Sequence, residues 1–251
     1  MDRQGEDILL RMTTIIKKYD PSFTKIKATA TGFFCRNKSG NIFLVTNYHV
    51  IKNSDYFMLY LSLICNKGKI KINENVALTI DKNSQDVIIN EEYDVCIIAV
   101  KNLCEDLRKN GIIPNIAHIP YTGFVNDFSN YNHIERVMII GYPNSLINGI
   151  PNLPLVREGI TATGMCVKLE DKDQFIINIP VVHGSSGSPV FRINENDKLE
   201  LVGIVTHLYY EETKVKDIND PNKTIGIVKM PNGLGRVTKS NIILELLDQT
   251  N

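Results

Sequence analysis

A chain of 251 residues with 43% hydrophobic and 22% charged residues has the composition of an ordinary globular protein. It is long enough to bury about 70% or more of its unfolded surface without a disulfide or metal staple. Its 28 Lys and Arg residues balance 28 Asp and Glu residues, which argues against a broad nucleic-acid or anionic-membrane partner.

The N-terminal stretch "MDRQGEDILLRMTTIIKKYD" mixes acids and bases into its apolar residues and offers no secretory h-region. No apolar run in the chain approaches the ~20 residues of a membrane span. Ile8, Leu9, Met12, Ile15 and Ile16 fall close to a helical spacing, which predicts a helix over Glu6–Lys18 stopped by Pro21. Residues 1–22 are therefore expected to form a helical segment. From Phe23 the texture changes to short β-branched and aromatic runs separated by Asn, Gly, Lys and Asp turns, as in "TGFFCRNKSGNIFLVTNYHV", "KGKIKI" and "YDVCIIAV". This pattern predicts an all-β barrel or sandwich, with a first unit over residues 23–117. The turn-rich "HIPYTGFVNDFSNYNH" predicts a linker over 118–133, with His118 and His133 solvated. A second β unit is expected over 134–251, from "RVMIIGYP", "GITATGMCVKL", "QFIINIPVV" and "LELVGIVTHLYY". It ends in a helix over Ser240–Leu247 with Ser240 as its N-cap. Cys35, Cys65, Cys96, Cys104 and Cys166 are scattered, with no CxxC pair. That usage fits free thiols in a reducing compartment, hence a cytoplasmic location.

The loop "VVHGSSGSPVF", Val181–Phe191, carries three serines between two apolar runs. Taken alone, such a Gly/Ser/Pro cluster is a turn. A serine nucleophile further needs a base within reach, a group that orients the base, and N–H donors for an oxyanion. Gly184 and Gly187 bracket Ser186 and permit backbone angles that turn the Gly184 and Ser186 N–H groups toward one point. His49, at the end of the strand-like "FLVTNYHVI", is the candidate base. Asp94, abutting the apolar run of "EEYDVCIIAV", is the candidate orienting acid, with Glu91 and Glu92 as alternatives beside it. Each alone reads as a strand-end residue; the three together do not. No phosphate-binding glycine loop, HExxH or metal-spaced Cys/His set is present, so neither a cofactor nor a metal is expected.

The blocks "LVTNYHV", "YDVCIIAV" and "GSSGSPVF" resemble the three catalytic blocks of the trypsin/chymotrypsin-like serine proteases, in that family's chain order of His, Asp and Ser. The segments "VMIIGYPNS…VREGITATG" and "LELVGIVTH" also resemble that family's strands of the second barrel, and the first resembles those of Deg/HtrA-like and stand-alone intracellular bacterial trypsin-like peptidases. The resemblance implies two six-stranded antiparallel β-barrels and a serine endopeptidase acting on a protein or peptide substrate. It makes Ser186 the nucleophile, His49 the general base and Asp94 the group that holds the imidazole, with the Gly184 and Ser186 N–H groups as oxyanion hole. It places the substrate pocket on Pro180, Val181 and His183, on Thr206, His207 and Leu208, and around Gly233.

The chain also departs from the family. Ser185 stands where the digestive enzymes carry the aspartate that receives a freed N-terminal ammonium, so activation by that ion pair is not available. Near Pro180, at the pocket floor, there is no acid to partner a substrate cation, which argues against an Arg or Lys preference. His183 and His207 are either pocket-rim residues or selectors of an acidic or polar side chain. Some stand-alone bacterial relatives act with partner proteins, including in stress or phage defence, and the resemblance extends to regulation by a partner or by ordering of the oxyanion loop. Two other functions remain open on sequence: a catalytically silent module that binds partners or peptides, and an acyl hydrolase using the same triad.

Overall fold

The computed structural model describes residues 8–20, 22, 24–64, 70–143, 153–194, 198–220 and 222–250. Two antiparallel β units make up the chain. The first contains β1 (Thr13–Tyr19), β2 (Ile26–Arg36), β3 (Ile42–Thr46), the short helix α1 (Tyr48–Ile51), β4 (Tyr56–Ile64), β5 (Ile70–Asp81), β6 (Val87–Asn90), β7 (Val95–Ala99) and the helix α2 (Lys101–Lys109). Its strands run in the order β5-β4-β1-β2-β3-β7-β6. The second contains β8 (Arg136–Gly141), β9 (Leu155–Thr161), β10 (Gln174–Asn178), β11 (Pro189–Ile193), β12 (Leu199–Lys216), β13 (Thr224–Lys239) and the C-terminal helix α3 (Ser240–Asp248). These six strands close into a barrel in the order β10-β13-β12-β11-β8-β9. The architecture is the expected all-β, chymotrypsin-like one. The first unit, however, is a seven-stranded barrel-type sheet rather than a six-stranded one.

One of those seven strands is β1, which lies inside the segment whose apolar spacing predicted a helix. Only residues 8–11 are helical there; the expected start at Glu6 and stop at Pro21 lie outside the described residues. The reason is the run Thr13-Thr14-Ile15-Ile16. Four β-branched residues in succession resist a helix and favour a strand, and β1 pairs with both β2 and β4, burying them on both faces. The i, i+3, i+4 spacing of the isoleucines was coincidental to that run. Helix α2 was not foreseen, because its two buried residues, Cys104 and Leu107, form too short an apolar stripe to stand out. Helix α3 spans the expected residues, but its N-cap is Lys239 rather than Ser240. The Ser240 hydroxyl is buried and donates to the Val125 carbonyl at 2.5 Å.

The central strands explain why the first unit's sequence reads as continuous apolar runs rather than alternation. Along β2, Phe33 and Cys35 face one core while Phe34 faces another; along β3, Phe43 and Val45 oppose Leu44; along β7, Val95 and Ile97 oppose Cys96 and Ile98. Successive side chains point to opposite faces of a strand, and here both faces are covered. One face closes the first unit on itself. The other packs against Met138, Ile140, Phe191, Leu201 and Ile204 of the barrel and against Ile243, Leu244 and Leu247 of α3. A third cluster, including Val137, Phe175, Val190, Val202 and Val237, fills the barrel. The segment expected as linker bridges to both units, through Cys35–Ile119 and Phe124–Leu201. Within it His118 is partly buried, with its Nδ1 lacking a partner and its pKa lowered by burial, whereas His133 is exposed. The solvated placement expected for both histidines holds for His133 alone.

Cys35, Cys96, Cys104 and Cys166 are free thiols; Cys65 lies outside the described residues. Burial pushes the Cys35 and Cys96 thiols far above their ordinary range. No helix among the described residues is long and apolar enough to cross a membrane.

If β1 belongs to the folding unit, trimming a side chain there should unfold the whole domain more easily. Ile16 is fully buried between β2 and β4, so Ile16→Ala is expected to cost about 2–5 kcal/mol. A fall in the urea midpoint at unchanged slope would show it; an unchanged midpoint would remove β1 from the cooperative core.

Candidate active site

Strand β3 ends at Thr46, and α1 carries His49 outward from the sheet. Asp94 meets it at the end of the turn leading into β7. Asp94 has a left-handed backbone (φ 54°), which a short polar side chain tolerates better than most. That conformation lets one residue receive four donors from residues 47–49. Its carbonyl accepts the Asn47 side-chain amide at 3.0 Å and the Tyr48 N–H at 3.2 Å. Its carboxylate accepts the His49 backbone N–H at 2.8 Å on one oxygen and contacts His49 Nδ1 at 2.6 Å on the other. Because a carboxylate only accepts, the contact places a proton on Nδ1, and in the neutral imidazole Nε2 is then the nitrogen with the lone pair. Glu91 and Glu92, the alternative acids, turn to Lys52 and Lys172 instead.

The structure separates the three serines of the Val181–Phe191 loop. Ser185 and Ser188 are fully buried. Ser186 is half-buried and lines a cleft of about 220 Å³ together with His49, Val50, His183, Gly184, Lys18 and Ala28–Ala30. Among the described residues no hydrogen bond joins the Ser186 hydroxyl to His49. Such bonds are often long in unliganded sites and tighten in the substrate complex.

The loop's backbone is fixed at alternate peptides. In the peptide between Gly184 and Ser185, the carbonyl accepts the Thr31 hydroxyl at 2.8 Å and the N–H donates to the Val182 carbonyl at 3.0 Å. In the peptide between Ser186 and Gly187, the carbonyl accepts the Thr31 N–H at 2.8 Å and the N–H donates to the Val205 carbonyl at 2.9 Å. The N–H groups of Gly184 and Ser186 belong to the two peptides next to these, and neither donates to an acceptor among the described residues. Gly184 (φ 91°) and Gly187 (φ 83°) both have left-handed backbones. At Gly187 a Cβ would come within 1.9 Å of the Thr31 carbonyl oxygen, so no other residue fits there. Two backbone N–H groups without acceptors among the described residues, a half-buried hydroxyl and the His49 imidazole thus belong to residues lining one cleft.

The proposed pocket segments are also placed. Pro180, Val181 and His183 lie just before Gly184, and Val181 packs against the backbone of Gly235, where a Cβ would lie 2.5 Å from its methyl. Gly235, rather than Gly233, is thus the glycine against the pocket segment; Gly233 lies further out along β13 with open space around it. The Thr206 hydroxyl donates to the Arg236 carbonyl at 3.2 Å. The His207 ring stands 6.4 Å from the His49 ring, centroid to centroid. Burial lowers the His207 pKa, Asp94 opposes that shift, and His49 and Arg236 reinforce it. Leu208 packs at the edge of the barrel core. His183 Nε2 lies 3.2 Å from the Tyr210 hydroxyl. No group of three His, Cys, Asp or Glu residues among those described could hold a metal ion.

Two residues that shape the site were missed in the sequence. Thr31 gives no local signal, since its partners are distant in the chain. Arg157 had one: in "LVREGIT" the alternation puts it on the inward face with Gly159 and Thr161.

Two antiparallel β units with a His–Asp pair at the edge of one and a glycine-bracketed serine at the edge of the other define a protein of the chymotrypsin-like peptidase class. A family model described as the trypsin-like peptidase domain matches residues 30–204, and the chain belongs to that family. Among solved structures it is similar to the active form of the Rv3671c protease from M. tuberculosis, with 16% identity and a TM-score of 0.53 over 98% of this chain and 86% of that one. At that identity the likeness shows the fold. No curated protein matches the sequence.

Thr31→Val should leave the buried Gly184 carbonyl and Tyr142 N–H without their hydroxyl partner. We expect about 1–3 kcal/mol lost per orphaned group and slower reaction of Ser186 with a serine-directed probe. Thr31→Ser should retain most of both, and equal behaviour of the two variants would count against this role.

Proposed function

We propose that this chain is a serine endopeptidase that cleaves peptide bonds through an acyl-enzyme, with Ser186 as nucleophile, His49 as general base and Asp94 as its orienting partner. The observation that carries the reading is the two-point contact of Asp94 with His49, which occupies Nδ1 and leaves Nε2 as the available ring nitrogen of a residue that lines one cleft with Ser186. As Ser186 Oγ attacks the scissile carbonyl carbon, His49 Nε2 takes the hydroxyl proton and Asp94 stabilises the imidazolium. The carbonyl oxygen becomes an oxyanion, and the Gly184 and Ser186 N–H groups donate to it. His49 passes the proton to the leaving amine, and the acyl-enzyme forms. A water then gives its proton to His49 and attacks the ester carbonyl. Collapse releases the acid and returns the proton to Ser186 Oγ.

The substrate is a protein or peptide, as for the family. The pocket segments hold His183 and His207 and no acid, and the Arg157 guanidinium contacts the carbonyl of Pro180 at the floor. A cationic substrate side chain would meet positive charge there. Restraint by a partner protein fits better than a disordered oxyanion loop, because two of the loop's peptides are already fixed at both ends. The free thiols support a cytoplasmic setting.

A second reading, a silent binding module, draws on the absence of a Ser186–His49 hydrogen bond in the unliganded chain. A fluorophosphonate probe separates the two. Wild type should label. Ser186→Ala should not, and with His49→Ala it should lose about six orders of magnitude in kcat; Asp94→Asn should lose about 10⁴. Labelling that persists in Ser186→Ala would falsify the nucleophile. No labelling of wild type, with and without lysate from the native host, would favour the silent module. In a peptide-library digest we expect no preference for Arg or Lys before the cut, and a strong one would overturn the pocket reading.

A further inference from the structure

We infer that Arg157 is a positioning residue, a built-in cationic clamp that holds the 180–185 segment so that the Gly184 N–H faces the oxyanion. This rests on the reading of Gly184 and Ser186 as oxyanion donors. Arg157 projects from β9 toward the barrel, and its guanidinium grips both ends of the segment. Nη2 donates to Ser185 Oγ at 2.9 Å and Nη1 donates to the Pro180 carbonyl oxygen. Ser185 Oγ also accepts the Val182 N–H at 3.3 Å, and the Ser185 N–H returns to the Val182 carbonyl at 3.0 Å. The segment is thereby folded on itself, with the guanidinium as its outer tie, and Gly184 is carried at its end.

The chemistry of the contact is unusual for a purely structural arginine. Among the described residues no carboxylate lies within ion-pair distance of Arg157, while its neighbour Glu158 pairs outward with Arg136. Nε is buried without a partner, and burial lowers the guanidinium pKa. A partly buried cation with no counter-charge carries a desolvation cost, and an apolar side chain would fill the same space at less cost. What an apolar residue cannot do is donate to a hydroxyl and a carbonyl at once from a planar fork. The segment it ties is one whose placement within about an ångström decides whether an oxyanion is met. Because the cation is part of β9, the clamp is present as soon as the barrel folds and needs no cleavage of the chain to supply it.

The clamp is tested on the full chain with Arg157→Ala, Arg157→Lys and Ser185→Ala, against an ester substrate and by backbone amide NMR. Arg157→Ala is expected to lose about 10²–10³ in kcat, the range for losing one oxyanion donor, with a much smaller change in KM. Millimolar guanidinium ion should restore part of that kcat in Arg157→Ala and none in Ser186→Ala. Arg157→Lys, with a single point of contact, should fall between, and Ser185→Ala should lose about tenfold while keeping Arg157. If Arg157→Ala fails to fold, the Lys and Ser185→Ala variants carry the same comparison. The Gly184 amide resonance should shift or broaden in the Arg157 variants whether or not the protein turns over substrate. Wild type without activity, both alone and with lysate from the native host, would sink the proposed function and leave this amide measurement to decide the clamp. An unmoved Gly184 amide, or a kcat loss that tracks lost thermal stability with no guanidinium rescue, would overturn it.

Discussion

Thr31 is the point on which the two β units agree about where Ser186 sits. Its N–H donates to the Ser186 carbonyl, its hydroxyl donates to the Gly184 carbonyl and accepts the Tyr142 N–H, and its own carbonyl accepts the Thr46 hydroxyl. The bonds to Gly184, Tyr142 and Thr46 are buried, so water cannot substitute in them, and losing any of them carries a full desolvation cost. Thr46 ends β3, just before the helix that carries His49. One residue thus ties the Ser186 loop of the second unit to the strand of the first that leads into His49. The glycines beside it follow from that closeness. A Cβ at Gly141 would strike Ser188 Oγ at 2.0 Å and Thr31 Oγ1 at 2.7 Å, and one at Gly187 would strike the Thr31 carbonyl.

The site divides its polar work between two kinds of partner. Neutral hydrogen bonds from Thr31, Val182 and Val205 set the peptide planes of the loop. Charged groups act at its two flanks, Asp94 on the imidazole and Arg157 on the segment behind Gly184. The division has an electrostatic consequence. In the proposed mechanism the negative partner sits beside the group that would become positive during acylation, and the positive one lies behind the donors that would meet a negative oxygen. Neither charge is placed where it would have to move during the reaction, which is the condition for preorganised stabilisation.

Legibility followed the range of the interactions. His49, Asp94 and Ser186 could be singled out as candidates because each lies in a short block whose local chemistry is distinctive, and the structure places His49 against Asp94 and in one cleft with Ser186. The strands of the second unit were readable for the same reason. Thr13–Tyr19 was misread because a run of β-branched residues also happened to place its isoleucines at helical spacing, and only pairing on both sides with β2 and β4 decides between the two. Ser240 looked like a cap because serine before an apolar run usually is one; Val125 across the core claimed its hydroxyl instead. Thr31 was invisible for a deeper reason. All its partners but Thr46 lie more than a hundred residues away, and nothing in "TATGFF" encodes them. Ser185 was noticed as a missing charge, yet the arginine that answers it lies on another strand.

The pocket edge shows how a regular barrel can yield irregular chemistry. β12 and β13 pair along most of their length, but the register shifts between Val205 and His207 and again between Leu208 and Tyr210. Bulges increase local twist and re-aim side chains. Here they flank the stretch Thr206–Leu208 that faces the site. Between the two shifts, Thr206 turns its hydroxyl to the Arg236 carbonyl, His207 comes near His49, and Leu208 returns toward the barrel core. A perfect ladder would put Val205 and His207 on one face; the shift at Thr206 instead leaves Val205 in the barrel core and His207 beside His49. Beyond the second shift the two strands continue as an exposed ribbon, with Ile225, Ile227, Val228 and Met230 on its surface. The barrel's closed ladder supplies the rigidity, and the two bulges convert that rigidity into a fixed but non-repeating surface beside the imidazole.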